Sequence, residues 1–201
     1  MKLFYLSASP FVRKVIVVAE ELGISGRIEK LACAPGPVTR DMNVVARNPL
    51  GKVPTLLTDE GDALFDSRVI SEYLDTTFGN GQLFPVDPAA RWRALREQAI
   101  ADGLLDAAIL VRYESALRPE ELRWDAWKGG QLEKVAASLA AIEADIDDNA
   151  DRVDIGAIST ACALGYLDFR FADLRWRDSH PRSARWFRAF SQRPSMRLSD
   201  P

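Results

Sequence analysis

The spacing of apolar residues changes along this chain, and the changes mark out its elements. Leu3-Phe4-Tyr5-Leu6 is a short apolar run of strand type, after which Ser7-Ala8-Ser9-Pro10 turns the chain into a helix with serine at its cap and proline in its first turn. Along that helix Phe11, Val15, Val18 and Leu22 recur at steps of four, three and four, which predicts one buried stripe, and Gly23 stops it. Residues 27–33 alternate apolar and polar as a second strand would. Ala34-Pro35-Gly36-Pro37 is a loop, and residues 39–46 can form one short helix. Thr55-Leu56-Leu57 and Ala63-Leu64-Phe65 flank the turn Asp59-Glu60-Gly61-Asp62, the pattern of an antiparallel hairpin. Asp66-Ser67 then caps a helix expected to carry Val69, Ile70, Tyr73, Leu74 and Phe78 on one face. The order β-α-β, loop, β-β-α predicts an α/β unit with one four-stranded mixed sheet.

Beyond Gly79-Asn80-Gly81-Gln82 the periodicity fails as far as Pro88, and the stretch reads as a linker. Everything after it has helical spacing. Residues 89–117 form a long apolar-rich helix interrupted only by Gly103 and ended by Arg118-Pro119. Val135, Leu139, Ile142 and Ile146 make the core stripe of another helix, Asp154 caps a third rich in small residues, and Pro181 opens a last one. The expected domains are 1–78, an α/β unit; 79–88, a linker; and 89–201, an all-α bundle.

Composition narrows the class of partner. A chain of 201 residues can bury roughly 70% of its unfolded surface, enough for one large or two small cores. Hydrophobic residues are 47% and charged ones 27%, and a formal net charge of −3 gives no reason to expect nucleic acid or an anionic membrane as partner. The arginines gathered between Arg170 and Arg197 alternate with Trp176, Trp186, Phe187 and Phe190, as in a solvated helix face over a packed one. No apolar run approaches the ~20 residues of a membrane span, and Met1-Lys2-Leu3-Phe4 opens directly into a strand pattern, so a cytoplasmic location is expected. Cys33 and Cys162 lie far apart in apolar settings, which predicts buried thiols rather than a disulfide or a metal site. His180 is the only histidine, so Ser-His or Cys-His machinery would have to use that one residue.

One stretch invites a ligand. In Asn48-Pro49-Leu50-Gly51-Lys52-Val53-Pro54-Thr55, proline occupies the first residue of a strand, where a missing N–H is harmless. Proline also lowers the penalty for a cis peptide, which would turn the N–H and C=O of Val53 out of the sheet, where they can hold a peptide. The plainer alternative is a trans proline at a strand start.

Ser9-Pro10-Phe11-Val12-Arg13-Lys14, Asn48 to Pro54, and Phe65-Asp66-Ser67 resemble the three signatures of the N-terminal thioredoxin-like domain of cytosolic glutathione transferases. Residues 161–170, Ala-Cys-Ala-Leu-Gly-Tyr-Leu-Asp-Phe-Arg, are similar to the central helix of that family's C-terminal all-α domain. The resemblance covers nearly the whole chain, in order and spacing, and is nearest to bacterial members with serine in the active-site turn. It implies a thioredoxin-like glutathione-binding domain, an all-α domain, glutathione as co-substrate, a small hydrophobic electrophile as acceptor, and a homodimer.

The chemistry of glutathione gives each residue of those motifs a task. Val53, before a cis Pro54, can pair its backbone with the cysteinyl residue as an added strand does. Asp66 and Ser67, where strand becomes helix, suit the γ-glutamyl head: helix N–H groups and the Ser67 hydroxyl for its carboxylate, Asp66 for its ammonium. Lys52 can meet the glycyl carboxylate, or be simply a solvated lysine. The thiolate is the nucleophile, and one hydrogen bond from Ser9, backed by the mouth of the following helix, can stabilise it. In the resembling family the active residue stands directly before the proline or two places before it. Those positions are Ser9 and Ala8 as this chain is numbered, so Ser9 is the candidate, with Ser7 in reserve and a plain helix cap as the alternative. A hydroxyl cannot form a mixed disulfide, which leaves conjugation, elimination or peroxide reduction by bound thiolate. The acceptor is expected between the Ser7–Ser9 turn and the helix around Asp102-Gly103-Leu104-Leu105-Asp106, with Ile109, Tyr113 and Trp124 as lining. Asp102 or Asp106 could instead reach the γ-glutamyl ammonium across a dimer. A non-catalytic binding module of the same fold is the competing function. Family members open the central helix of the second domain with Ser or Thr and place Asp three residues on; here Asp154 is the cap and Ala157 stands third, so half of that reciprocal cap is missing.

Overall fold

A computed structural model of the chain describes residues 1–146 and 151–200. The chain divides into two compact units: Met1–Arg91 together with the segment that begins at Pro194, and Trp92–Arg193. The division sets the tail apart from the expected bundle of residues 89–201, a range that also takes in residues outside those described.

In the first unit the strands are β1 (Lys2–Tyr5), β2 (Glu29–Ala32), β3 (Thr55–Leu57) and β4 (Ala63–Leu64), in spatial order β2-β1-β3-β4. β1 runs parallel to β2 and antiparallel to β3, and β4 is antiparallel to β3. The four-stranded mixed sheet with flanking helices is the expected one. Helix α1 (Pro10–Glu21) crosses between β1 and β2, and Gly23, at φ +67°, lets the chain leave it through a left-handed turn that only glycine adopts without strain. Helix α1 departs from its single stripe, because residues 12–19 are all buried, Arg13 and Lys14 included. Its second face is covered by α3 (Ser67–Leu74) and α9 (Pro194–Leu198), and the Arg13 guanidinium donates to the Met196 carbonyl at 3.1 Å and the Asp200 carboxylate at 3.0 Å. Between β2 and β3 lies α2 (Met42–Val45), capped by Asp41. On α3 the buried face is Ser67, Ile70, Ser71 and Leu74, whereas Val69, expected in the core, is half exposed. A helix of eight residues buries only one stripe, and Val69 lies off it. Within residues 79–88, expected to be a linker, the buried Asp75 carboxylate accepts the Leu83 N–H at 3.0 Å and the Phe84 N–H at 2.9 Å, and both side chains are buried.

The second unit is helical. Its elements are α4 (Pro88–Ala116, whose first residues belong to the first unit), α5 (Asp125–Asp145), α6 (Ile155–Arg170), α7 (Trp176–Ser179) and α8 (Pro181–Phe190). Gly103 does not interrupt α4. Residues 155–167 of α6 are buried throughout, so it is the axis of the unit; each of Ile155, Ile158 and Leu164 contributes about 1.5–3 kcal/mol by leaving water. A Cβ at Gly156 would stand 2.9 Å from the Ala94 carbonyl oxygen, so glycine lets α6 approach α4. The missing half of the N-terminal cap is replaced by a tertiary tie. Asp154 accepts the Ala157 N–H at 2.9 Å, and Arg152 bridges Asp154 (2.6 Å) to Glu97 of α4 (2.7 Å). The aromatic residues among the C-terminal arginines, Trp176, Trp186, Phe187 and Phe190, are buried as the alternation requires. Among the described residues no helix is long and apolar enough to cross a membrane.

Candidate functional site

Strand register brings the three N-terminal motifs to one end of the sheet. Phe4 pairs with Thr55, so the end of β1 that leads to Ser7–Ser9 lies beside the start of β3, where Val53 and Pro54 stand. Leu64 pairs with Leu56, so β4 runs toward that same end before Asp66 and Ser67 open α3.

The turn after β1 is closed by the Ser9 N–H on the Leu6 carbonyl at 3.0 Å. Ser9 has extended backbone angles (φ −86°, ψ 117°) and caps α1, its Oγ accepting the Val12 N–H at 3.3 Å. That bond is the plain cap that the sequence allows. A serine hydroxyl also carries one proton to donate, and among the described residues nothing accepts it. Ser9 is half-buried and Ser7 exposed.

The Val53–Pro54 peptide is cis. The loop before it is held by a polar triangle that sequence reasoning gave no task. Asn48, 1% exposed, accepts the Leu50 N–H at 3.0 Å and donates to the Lys52 carbonyl at 3.1 Å and the Thr55 hydroxyl at 2.9 Å. Thr55 in turn donates to the Lys52 carbonyl at 2.9 Å. The available signal was asparagine two residues before Leu50, since Asn side chains bond the backbone two residues on. Gly51, at φ +63°, would place a Cβ 3.2 Å from Val45 and 3.3 Å from the Arg40 guanidinium, which itself donates to the Pro49 carbonyl. The Lys52 side chain is exposed and has no partner among the described residues.

Asp66 follows a second cis peptide, Phe65–Asp66, and caps α3 by accepting the Arg68 N–H at 2.9 Å; its other oxygen pairs with the Arg68 guanidinium at 3.0 Å. Partial burial works to raise its pKa, but the bonds from Arg68 and the nearby charge of Lys14 outweigh it and hold the carboxyl below the usual range. Lys14, 1% exposed, is a cation that the sequence pattern placed on no functional surface. Ser67 is 2% exposed, and its hydroxyl has no partner among the described residues. The first N–H groups of α3 lie at the same helix mouth, where partial positive charge favours an anion.

Cys33, expected to be buried, is half-buried where β2 ends, its Sγ 3.5 Å from the Tyr5 carbonyl. Burial pushes its thiol pKa up, Asp41 adds to the rise, and the Tyr5 bond only partly offsets it, which disfavours the thiolate. Cys162 is buried as expected. Of the residues expected to line an acceptor, Ile109 is half-buried, Tyr113 is 37% exposed and Trp124 is 65% exposed; Asp102 is buried and Asp106 exposed.

Comparison with known proteins matches both units. The N-terminal domain of glutathione S-transferase matches residues 8–77, and the C-terminal domain of glutathione S-transferase matches residues 125–189. A glutathione transferase family member from Pseudomonas fluorescens Pf-5, solved with bound glutathione, superposes with a TM-score of 0.96 at 49% identity, over 100% of this chain and 98% of that one. A second structure from that organism, with bound S-(propanoic acid)-glutathione, gives 0.91 at 48% identity, over 100% and 99%. The uncharacterized GST-like protein YibF of Escherichia coli K12 is 35% identical over 100% of this chain and 98% of its own length. With both domain models matched in sequence order, and the fold they describe present in both units, this chain belongs to the glutathione S-transferase family.

Proposed function

We propose that this protein binds glutathione as the thiolate and transfers it to a small hydrophobic electrophile. The observation that carries the reading is the Ser9 hydroxyl, whose oxygen is engaged by the Val12 N–H while its proton has no acceptor among the described residues. A free thiol has a pKa of ~8.5; lowering it by about two units requires roughly 2.7 kcal/mol of preferential anion stabilisation. A short hydrogen bond from Ser9 to sulfur, with the positive end of α1 behind it, supplies most of that. Val53 pairs its backbone with the cysteinyl residue, the mouth of α3 with Ser67 takes the γ-glutamyl carboxylate, Asp66 its ammonium, and Lys52 the glycyl carboxylate. The bound glutathione of the Pseudomonas relative supports the co-substrate. Detoxifying conjugation in the cytoplasm by a homodimer completes the reading.

The test is a thermal-shift titration with glutathione, followed by conjugation of 1-chloro-2,4-dinitrobenzene by wild type and Ser9→Ala. Glutathione should raise the melting temperature of both proteins. Conjugation by Ser9→Ala at pH 6.5 should fall at least tenfold, and the bound-thiol pKa, followed by thiolate absorbance, should rise by one unit or more. Binding without turnover by wild type would favour a non-catalytic module; no binding at all would discard the glutathione reading.

A further inference from the structure

The register that gathers the three motifs at one end of the sheet leaves a cavity at the other. Phe4 pairs with Thr55, next to Val53 and Pro54, whereas Lys2, at the start of β1, pairs with Leu57 on one side and Glu29 on the other. At that far end a cavity of about 570 Å³ is lined by Met1, Lys2, residues 26–29, Arg47, residues 57–59 and Gly61, all of the first unit. Its volume falls in the ~300–1,000 Å³ range of small-molecule sites.

The charge on its wall is unbalanced. The Met1 amine pairs with Asp59 at 2.5 Å and donates to the Arg27 carbonyl at 3.2 Å, and Lys2 pairs with Glu29 at 3.3 Å. Those two pairs use both carboxylates of the wall. Arg27 and Arg47 remain. Both are exposed, and among the described residues neither guanidinium has a carboxylate or carbonyl partner; that of Arg27 lies 4.7 Å from the centroid of the Phe78 ring. A single unpaired arginine on a surface would mean little, but here two share one cavity whose other charges already cancel. Arg13, Arg40, Arg68 and Arg91 of the same unit are committed, to Asp200, the Pro49 carbonyl, Asp66 and Glu72. Beside the cations, Met1, Ile28 and Leu57, each buried or half-buried, give the cavity an apolar side.

We propose that this cavity binds a phosphate monoester, its dianion held by Arg27 and Arg47 and its carbon body laid against Met1, Ile28 and Leu57. Such an ester carries nearly two negative charges at pH 7 on three clustered oxygens, which suits two guanidinium forks. A monocarboxylate brings half that charge, and a dicarboxylate spreads it over two separate points. The cavity shares no residue with the glutathione reading, and no bond is made or broken in it.

The experiment titrates the full chain with phenyl phosphate at pH 7.5 by calorimetry and thermal shift, with and without saturating glutathione. One molecule should bind per chain, and glutathione should not displace it. Rising salt should weaken it, as should a shift to pH 5, where the ester becomes a monoanion. Arg27→Gln and Arg47→Gln should each weaken binding about fivefold or more, and the double variant should abolish it, without loss of melting temperature. Arg185→Gln, at an equally exposed arginine of the second unit that has no carboxylate partner among the described residues, should leave the affinity within about twofold. Inorganic phosphate, which leaves the apolar side unused, and succinate should both bind several-fold more weakly. The proposal is overturned by displacement with glutathione, by affinity that survives in the double variant or falls equally in Arg185→Gln, or by inorganic phosphate or succinate binding as tightly as the ester. No binding of phenyl phosphate by either method overturns it as well.

Discussion

Glu143 holds two helix ends together, and replacing it measures how much of the second unit's stability depends on that exchange. Its carboxylate accepts the Arg182 N–H at 2.9 Å, the Ser183 N–H at 2.8 Å and the Ser183 hydroxyl at 2.6 Å, so it caps α8 from another helix. In return the Arg182 guanidinium donates to the carbonyls of Glu143 (3.0 Å) and Ile146 (2.8 Å), which closes the C-terminal end of α5. Glu143→Ala strands two backbone donors and the fully buried Ser183 hydroxyl. A lost cap costs about 1–2 kcal/mol, and a charged hydrogen bond about 1.5–3 kcal/mol, of which water returns a part at this half-buried site. We expect a net loss of about 2 kcal/mol, or roughly 4–8 °C in melting temperature for a chain of this size, and about half of that for Glu143→Gln. The loss must depend on pH. Burial works to raise the Glu143 pKa, but the bonds from Ser183 and Arg182 and the proximity of His180 outweigh it, so the folded value lies below the ordinary one. An unfolded glutamate titrates near ~4.3. The charged cap is therefore at full strength above that pH and is lost as pH falls through the lower folded pKa. Urea unfolding followed by helix circular dichroism and tryptophan fluorescence at pH 7, and again at successively lower pH below 4, reads both effects. A difference below about 0.5 kcal/mol at pH 7, or one that persists undiminished in acid, would refute the exchange.

Two further substitutions probe the site and the core. Asn48→Ala leaves the Leu50 N–H and the Lys52 carbonyl short of a buried partner; it should cost about 2–3 kcal/mol in urea unfolding and weaken glutathione binding several-fold by calorimetry, with unchanged affinity counting against a positioning role. Arg152→Ala breaks an ion pair whose side chains are only 15% and 14% exposed and should cost about 3 kcal/mol. Adding Glu97→Gln should recover part of the loss, because the stranded carboxylate is removed; strictly additive costs in the double variant would show that the pair does not act as a unit.

Much of this architecture was legible because it is set by near neighbours. Serine before proline announces the cap of α1, and the Val12 N–H takes it up. Asp66 caps α3, Asp154 caps α6, and the turn between Thr55–Leu57 and Ala63 makes the hairpin, each within a few residues of the signal that predicts it. The motif order also identified the family. Three features escaped: the all-round burial of α1, the hydrogen bonds from Leu83 and Phe84 to Asp75, and the polar triangle at Asn48. Each depends on a partner that spacing does not name. The periodicity of α1 reports one face, but α3 and α9 cover another, and Arg13 meets the tail 183 residues away from it in sequence.

The amino-acid order by itself determined the elements, their caps, the division into a sheet unit and a helical one, and the three motifs of the family, because caps, turns and amphipathic stripes are governed by interactions a few residues long. Tertiary structure alone decided that β1, β3 and β4 carry those motifs to one end of the sheet, and that Arg152 and Glu97 stand in for a missing half-cap. The physical reason is that charge pairing and register are settled by distances in space, which a sequence fixes only through the whole fold.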